Sequence, residues 1–205
     1  MSALDNLLAN SLEELILKKL GAKTHQQIKK RLEERYGISV LEAIRDFQKM
    51  DATLREFFGA GADEIERDFL NDFVSLDDTK SQQGWITIQD SNLAKLILES
   101  FGNPDKKIIL DSSFTQPNVI LDILNACKIP KSSGYRVIKE LLNSGLLAEK
   151  GFATTRDGKK ISKYTSLFKR VRMDIQGEKI SVQVQLNAGF LRESNLLKVA
   201  QGRWK

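Results

Sequence analysis

The spacing of apolar residues changes at Gly145, and this change restricts the folds that the chain can adopt. Before it, four apolar residues repeat at helical spacing: Val137, Ile138, Leu141 and Leu142. After it, residues 146–153 and 161–168 alternate with a period of about two, which is typical of strands. The Asp157-Gly158 pair between them is a strong signal for a hairpin turn. The sequence therefore predicts a helix followed by a two-stranded ribbon.

Two more helices are predicted upstream of this helix. Pro104 to Leu110 forms the first, since proline is tolerated at a helix start. Gln116 to Lys128 forms the second, and a short break at Lys128-Ile129-Pro130 separates it from the third, Lys131 to Ser144. This order of elements is the winged helix-turn-helix arrangement: two helices, a tight turn, a third helix, and a two-stranded ribbon with basic residues at its tip. Its third helix has an apolar inner face and an outer face that fits the major groove of DNA.

Nine residues are the predicted contacts to double-stranded DNA. Six occupy the N-terminal end and outer face of the third helix: Lys131, Ser132, Ser133, Tyr135, Arg136 and Lys139. Helix N-termini favour phosphate, and an arginine can bind guanine in bidentate fashion. Three more lie at the ribbon tip: Arg156, Lys159 and Lys160. We expect these three to contact the backbone or the minor groove and to supply affinity more than sequence preference.

Residues 129–147 read Ile-Pro-Lys-Ser-Ser-Gly-Tyr-Arg-Val-Ile-Lys-Glu-Leu-Leu-Asn-Ser-Gly-Leu-Leu. This stretch resembles the recognition helix and the turn into the wing of prokaryotic winged-helix regulators, with the ArsR-like and TrmB-like groups common in archaea nearest in pattern. The resemblance covers residues 104–168. It implies a DNA-binding transcriptional regulator, usually a homodimer on a symmetric operator. The metal-sensing cysteine pair of ArsR proteins is absent, because Cys127 is the only cysteine.

The N-terminal part is predicted to be helical throughout. Helix starts are indicated at Ser11 with Glu14, Thr24 with Gln27, Ser39 with Glu42, and Asp51 or Thr53. Glycines 21, 37 and 59 indicate helix ends, and a last helix runs from about Asp63 to Phe73. The pattern Leu20-Gly21, Tyr36-Gly-Ile-Ser39 and Phe58-Gly-Ala-Gly-Ala62 resembles a small helical domain of archaeal proteins, to which we attach no defined activity. We expect this domain to mediate self-association or contact with a protein partner.

A polar stretch near residues 75–84 divides the chain. We predict a helical domain over 1–75, a linker over 76–84, a winged helix-turn-helix domain over 85–170, and a β-hairpin with a C-terminal helix over 171–205. The fold class is α+β, mainly α. The C-terminal hairpin could extend the wing sheet, cover the N-terminal helices, or pair across a dimer axis.

Charge is distributed unevenly between the two parts. Residues 1–80 carry 16 acidic and 12 basic side chains, a net charge of −4, whereas residues 81–205 carry 11 acidic and 20 basic ones, a net charge of +9. A basic second part favours a polyanionic partner. No apolar run is long enough to cross a bilayer, and the first residues lack a signal-peptide pattern, so we expect a cytoplasmic, nucleoid-associated protein without a membrane partner.

Several functional classes are disfavoured by composition. One cysteine and one histidine exclude an intramolecular disulfide and a Cys/His zinc site within one chain, and no Ser/His/Asp set can be assembled with conviction. The acidic residues Asp63, Glu64, Glu66, Asp68 and Asp72 fit a solvated helix face better than a divalent-metal site. We therefore predict no enzymatic activity, no cofactor and no metal. Two alternatives stay open, a protein-interaction adaptor without specific DNA binding and, more weakly, an enzyme using N-terminal carboxylates with a metal.

Overall fold

The computed structural model of the chain describes residues 3–75, 85–177 and 179–200. The predicted linker, residues 76–84, therefore lies outside the described residues. The helices are α1 (Ala3–Tyr36), α2 (Val40–Arg45), α3 (Phe47–Phe58), α4 (Ala62–Phe73), α5 (Ser91–Gly102), α6 (Pro104–Ser112), α7 (Ile120–Cys127), α8 (Lys131–Asn143), α9 (Ala188–Glu193) and α10 (Asn195–Ala200). The strands are β1 (Val74–Ser75), β2 (Trp85–Ile88), β3 (Leu147–Thr154), β4 (Lys160–Ser166), β5 (Phe168–Gln176) and β6 (Lys179–Leu186). The chain is thus α+β and mainly helical, as predicted.

The first helix begins earlier than the sequence predicted. Ser11 was expected at the helix N-cap, but α1 starts at Ala3 and Ser11 lies within it. The reason is burial, because Leu4, Leu7 and Leu8 are almost fully enclosed and extend the apolar stripe toward the N-terminus. The break predicted at Gly21 is present, with φ 76° and ψ 161° inside α1.

The capping box at Ser39 is confirmed. The Ser39 amide donates to Glu42 Oε2 at 2.8 Å, and the Glu42 amide donates to Ser39 Oγ at 3.2 Å. The Ser39 amide and the Ser39 hydroxyl, which both donate to the Glu42 carboxylate, lower the pKa of Glu42. The next helix was predicted to start at Asp51 or Thr53, and this was wrong. Helix α3 starts at Phe47, which is buried, and Thr53 is a fully buried interior residue.

The helix predicted from Gln116 to Lys128 is shorter in the structure, since α7 starts at Ile120. The preceding residues are extended because Asn118 pairs with Tyr164 of β4. The Asn118 amide donates to the Tyr164 carbonyl at 2.9 Å, and the Tyr164 amide donates to the Asn118 carbonyl at 2.7 Å. This bridge fixes the start of α7 against the ribbon.

The strands form two antiparallel sheets. One has the order β1-β2-β6-β5, and the other is the ribbon of β3 and β4. The hairpin β5–β6 therefore pairs through β6 with β2, and it does not extend the ribbon. Val182, Val184 and Leu186 on β6 are buried. Strands on both sides of the predicted linker belong to the same sheet, because β1 pairs with β2.

The two ends of the described chain meet. Asp5 on α1 accepts hydrogen bonds from Ser194 Oγ at 2.5 Å and from the Asn195 amide at 3.1 Å, and Ser194 also accepts from the Leu197 amide. Burial raises the pKa of Asp5 against the lowering effect of these hydrogen bonds. The predicted C-terminal helix is present as the short helices α9 and α10, while residues 201–205 lie outside the described residues. Among the helices described, none combines the length and apolar character that crossing a bilayer demands.

Candidate nucleic-acid interface

A three-residue turn sets α8 against α7. Lys128 adopts a left-handed conformation with φ 55° and ψ 33°, and Pro130 occupies the N-cap of α8. The Ile129 amide donates to the Leu124 carbonyl at 3.1 Å, which closes the turn. Gly134 then allows close packing, since a Cβ at this position would overlap the Leu124 side chain.

The two faces of α8 differ sharply in burial. Its inner face holds Gly134, Val137, Ile138 and Leu141, all buried. Five of the six predicted contact residues on this helix are exposed: Lys131, Ser132, Tyr135, Arg136 and Lys139. The sixth, Ser133, is half-buried and its hydroxyl donates to the Pro130 carbonyl at 3.1 Å. The structure therefore brings five of the predicted residues to one solvent-facing surface, which we call the α8 face.

An acidic side chain that the sequence analysis missed lies on the α8 face. Glu140 Oε1 is 2.6 Å from Arg136 Nη1, and Glu140 Oε2 is 3.1 Å from Lys106 Nζ on α6. Hydrogen bonding from Lys106, assisted by Arg136, lowers the pKa of Glu140. The four-residue spacing of Arg136 and Glu140 was a signal for this ion pair. The contact between Lys106 and Glu140 depends on how the helices pack, which no local sequence pattern indicates.

The turn between β3 and β4 has a defined backbone. The Thr155 amide donates to the Lys159 carbonyl at 2.9 Å, and the Lys159 amide donates to Thr155 Oγ1 at 3.0 Å. Gly158 has a φ of +78°, which favours glycine at this position. The three predicted cations at this tip are exposed: Arg156, Lys159 and Lys160. Because hydrogen bonds fix the backbone of this turn, the three charged side chains extend from a defined backbone conformation.

The predicted residues form two groups rather than one. Helix α8 contacts β3, which begins three residues beyond the C-cap Ser144, whereas the turn that holds Arg156 follows the far end of β3. At about 3.3 Å per residue, the eight residues of β3 extend over roughly 25 Å. The α8 face and the ribbon tip are therefore separate surfaces. A ligand that contacted both would have to be elongated.

A second basic surface lies beside the sheet, and the sequence analysis did not single it out. A cleft of about 380 Å³ is lined by residues that include Trp85, Phe101, Phe114, Lys107 and Arg172. Arg172 lies 4.4 Å from the centre of the Trp85 ring, and Lys107 pairs with Asp111 at 2.5 Å. Lys107 and Arg172 therefore already have partners within the chain, and Lys169 and Arg170 complete the basic lining of the cleft.

Cys127 is buried, as predicted for a small apolar residue, and its thiol lies 3.4 Å from the Ile108 carbonyl oxygen.

No protein-family model, curated protein or solved structure matches this chain. The resemblance to prokaryotic winged-helix regulators therefore stays a prediction carried by residues 104–168.

Proposed function

We propose that the chain is a DNA-binding transcriptional regulator of the winged helix-turn-helix type. In this proposal α8 enters the major groove, and the ribbon tip lies on the adjacent backbone or minor groove. The observation that carries the proposal is the α8 face, a cationic and hydroxyl-bearing surface on a helix whose opposite side is buried. A helix of this size fits the major groove, and its donors suit base edges and phosphates.

The order of elements supports the same proposal. Helix α6, the extended residue Asn118, helices α7 and α8, and strands β3 and β4 follow one another, and Asn118 pairs with the ribbon. Winged helix-turn-helix domains place an extended segment between their first two helices and a ribbon after the third. Helix-turn-helix proteins of this kind put the N-terminal part of the third helix on base edges.

The two surfaces have different roles in the proposal. Arg136 can bind a guanine once it leaves Glu140, so it is the residue that reads sequence. Lys159 binds phosphate without reading sequence, so it contributes to affinity for any duplex. Glu140 disfavours phosphate near it and pairs with Arg136 when DNA is absent.

Anisotropy of a labelled duplex at several salt concentrations tests the proposal, with the preferred site obtained by selection from random duplexes. Arg136→Ala should weaken binding to that site by about 1–3 kcal/mol and relax the preference at one position. Lys159→Ala should weaken all duplexes alike and reduce the salt slope by about one unit. Lys29→Ala, which removes an exposed cation of α1, serves as the control and should bind like the parent chain. Unchanged binding by both folded variants would refute the proposed surfaces, and absence of salt-dependent duplex binding would favour the protein-interaction adaptor.

We also propose that the chain binds DNA as a homodimer. A two-fold dimer would place its two α8 helices about 34 Å apart, one turn of the duplex. Light scattering at micromolar protein, with and without an operator duplex, measures the stoichiometry. A monomer that binds its operator with undiminished affinity would overturn this part.

A further inference from the structure

Three carboxylates converge where α3 and α4 meet. The corner between the helices is the short turn Gly59–Gly61, which brings Asp51 of α3 beside Asp63 and Glu66 of α4. One oxygen of each carboxylate lies within 4.8 Å of the others. The sequence analysis assigned Asp63 and Glu66 to a solvated helix face, and for Glu66 this was wrong because only 2% of its surface is exposed.

One oxygen of the Glu66 carboxyl group lacks the hydrogen-bond partner that its burial demands, although the group also interacts with Asp51. Its Oε1 atom is enclosed and, within the described part of the chain, has no partner. Buried carboxylates without partners are strongly unfavourable, so each one requires an explanation. Burial, together with the neighbouring Asp51, raises the pKa of Glu66 to about 8. A cation placed at Oε1 would supply the missing partner.

Arg55 provides only part of the positive charge that this cluster needs. Its Nε is 2.8 Å from Asp51 Oδ1, and its Nη2 donates to Asp63 Oδ1. The contact with Asp63 is made at the solvent side, where Asp63 is 58% exposed and Arg55 is 42% exposed, whereas the Asp51 side chain is only 18% exposed. Metal binding requires the ligating carboxylates to be ionised. In that ion-bound state the three carboxylates and one guanidinium would carry a net charge of −2, which a divalent ion would balance.

We propose that Asp51, Asp63 and Glu66 bind a divalent cation, Ca²⁺, that joins α3 to α4. The donor set consists of oxygens only, which favours a hard cation over zinc or copper. Oxygens bound to one Ca²⁺ at 2.3–2.6 Å can lie up to about 5 Å apart, whereas those bound to Mg²⁺ at 2.0–2.1 Å lie at most about 4 Å apart. The carboxylate oxygens of the cluster lie within 4.8 Å of one another, so they can approach a common Ca²⁺ once Arg55 releases Asp51 and Asp63. Water would complete the shell on the exposed side of Asp63.

The position of the cluster gives the ion a structural role. It lies at the corner of two helices that pack on α1, and α4 also contacts the C-terminal helix α10. Binding at this corner would stabilise the N-terminal helices, because an ion that binds the folded chain raises its apparent stability. The proposal is independent of DNA binding, since it uses no residue of the α8 face or the ribbon tip.

Thermal unfolding and calorimetric titration of the full chain with CaCl₂ test the site after EDTA treatment and removal of the chelator. The buffer should contain monovalent salt of about 0.15 M to screen weak surface binding. The parent chain should bind about one Ca²⁺ with a Kd of about 1 mM or tighter, the range of weak calcium sites, and its Tm should rise. Glu66→Gln should weaken Ca²⁺ binding about tenfold or more. Glu64→Gln, an exposed neighbour on α4, should leave it unchanged.

A second pair of variants keeps the test decisive if the Glu66 variant fails to fold. Asp63→Asn changes an exposed ligand and should also lose the Ca²⁺-dependent rise in Tm. Arg55→Gln removes the competing guanidinium and should tighten Ca²⁺ binding. Absence of any Ca²⁺ effect on the parent chain, or equal responses of the Glu66 and Glu64 variants, would overturn the site. An equal response to MgCl₂ would overturn the assignment of the ion as Ca²⁺.

Discussion

Replacement of Gly145 by alanine probes the contact between the N-terminal helix and the end of α8. Gly145 follows the C-cap residue Ser144 and has a φ of +76°. A Cβ at this position would lie 2.8 Å from the Leu7 amide nitrogen and 2.9 Å from the Leu7 Cα. These are backbone atoms of α1, and they cannot move without displacing a helix whose Leu7 side chain is only 2% exposed.

The expected loss of stability has two parts. A residue other than glycine in the left-handed region costs about 1–2 kcal/mol. Overpacking against a rigid neighbour adds about 1–3 kcal/mol. Gly145→Ala should therefore lower the free energy of unfolding by about 2–5 kcal/mol, a large share of the total stability of a domain.

Gly158→Ala separates the two parts. Gly158 has a φ of +78°, close to that of Gly145, but a Cβ there would meet no heavy atom within 4 Å. This variant should lose only the conformational part, about 1–2 kcal/mol. Urea unfolding followed by circular dichroism, with linear extrapolation, measures both losses. If the two variants lose the same free energy within about 0.5 kcal/mol, α1 does not lie against the end of α8 and the reasoning is refuted.

Three further predictions follow from contacts in the structure. Glu140→Gln releases Arg136 and removes a negative charge from the α8 face, so duplex binding in anisotropy assays should tighten for every sequence; weaker binding would contradict the proposed surface. Ser194→Ala removes a hydrogen bond to the buried Asp5, so urea unfolding should show a loss of about 1–3 kcal/mol, and an unchanged midpoint would contradict that contact. Burial raises the pKa of Asp5, so the folded chain binds the Asp5 proton more tightly than the unfolded chain does. The free energy of unfolding should therefore fall as the pH rises above 3.8, the ordinary pKa of an aspartate. Asp5→Asn should lack this part of the decline when unfolding is measured from pH 4 to 7.

Elements defined by local chemistry were predictable from the sequence. The capping box at Ser39 and the turn around Gly158 each depend on residues within four positions of one another. The same holds for α8, whose apolar spacing identified its buried side and hence the exposed positions of the candidate interface. Sequence patterns of this kind indicate the local backbone conformation, so elements that depend on local residues could be predicted from them.

Boundaries that tertiary contacts decide were not predictable. Helix α1 continues through the Ser11 signal because Leu4, Leu7 and Leu8 are buried by distant elements. Residues before Ile120 are extended because Asn118 pairs with Tyr164, 46 positions further on. In both cases a non-local contact outweighed a local preference, which contributes only a few tenths of a kcal/mol to about 1 kcal/mol.

The candidate sites show the same division. Residues of the α8 face were found because they share one helix, whereas Lys106 joins them only through the packing of α6 on α8. The acidic cluster needed the structure for a similar reason, since Asp51 and Glu66 belong to different helices. Sequence spacing pointed to Glu66 as a surface residue because its neighbours on α4 are mostly charged.

The pairing of β6 with β2 has a mechanical consequence for the proposed interface. These strands flank the segment that holds α6, α7, α8 and the ribbon, so both ends of that segment are held by one sheet. The Leu167 amide also donates to the Leu146 carbonyl at 3.0 Å, which joins the end of the ribbon segment to the start of β3. With Gly145 packed on Leu7, the C-terminal end of α8 also lies against α1. Any displacement of α8 would therefore disturb its contact with the N-terminal helix as well as its contact with the ribbon.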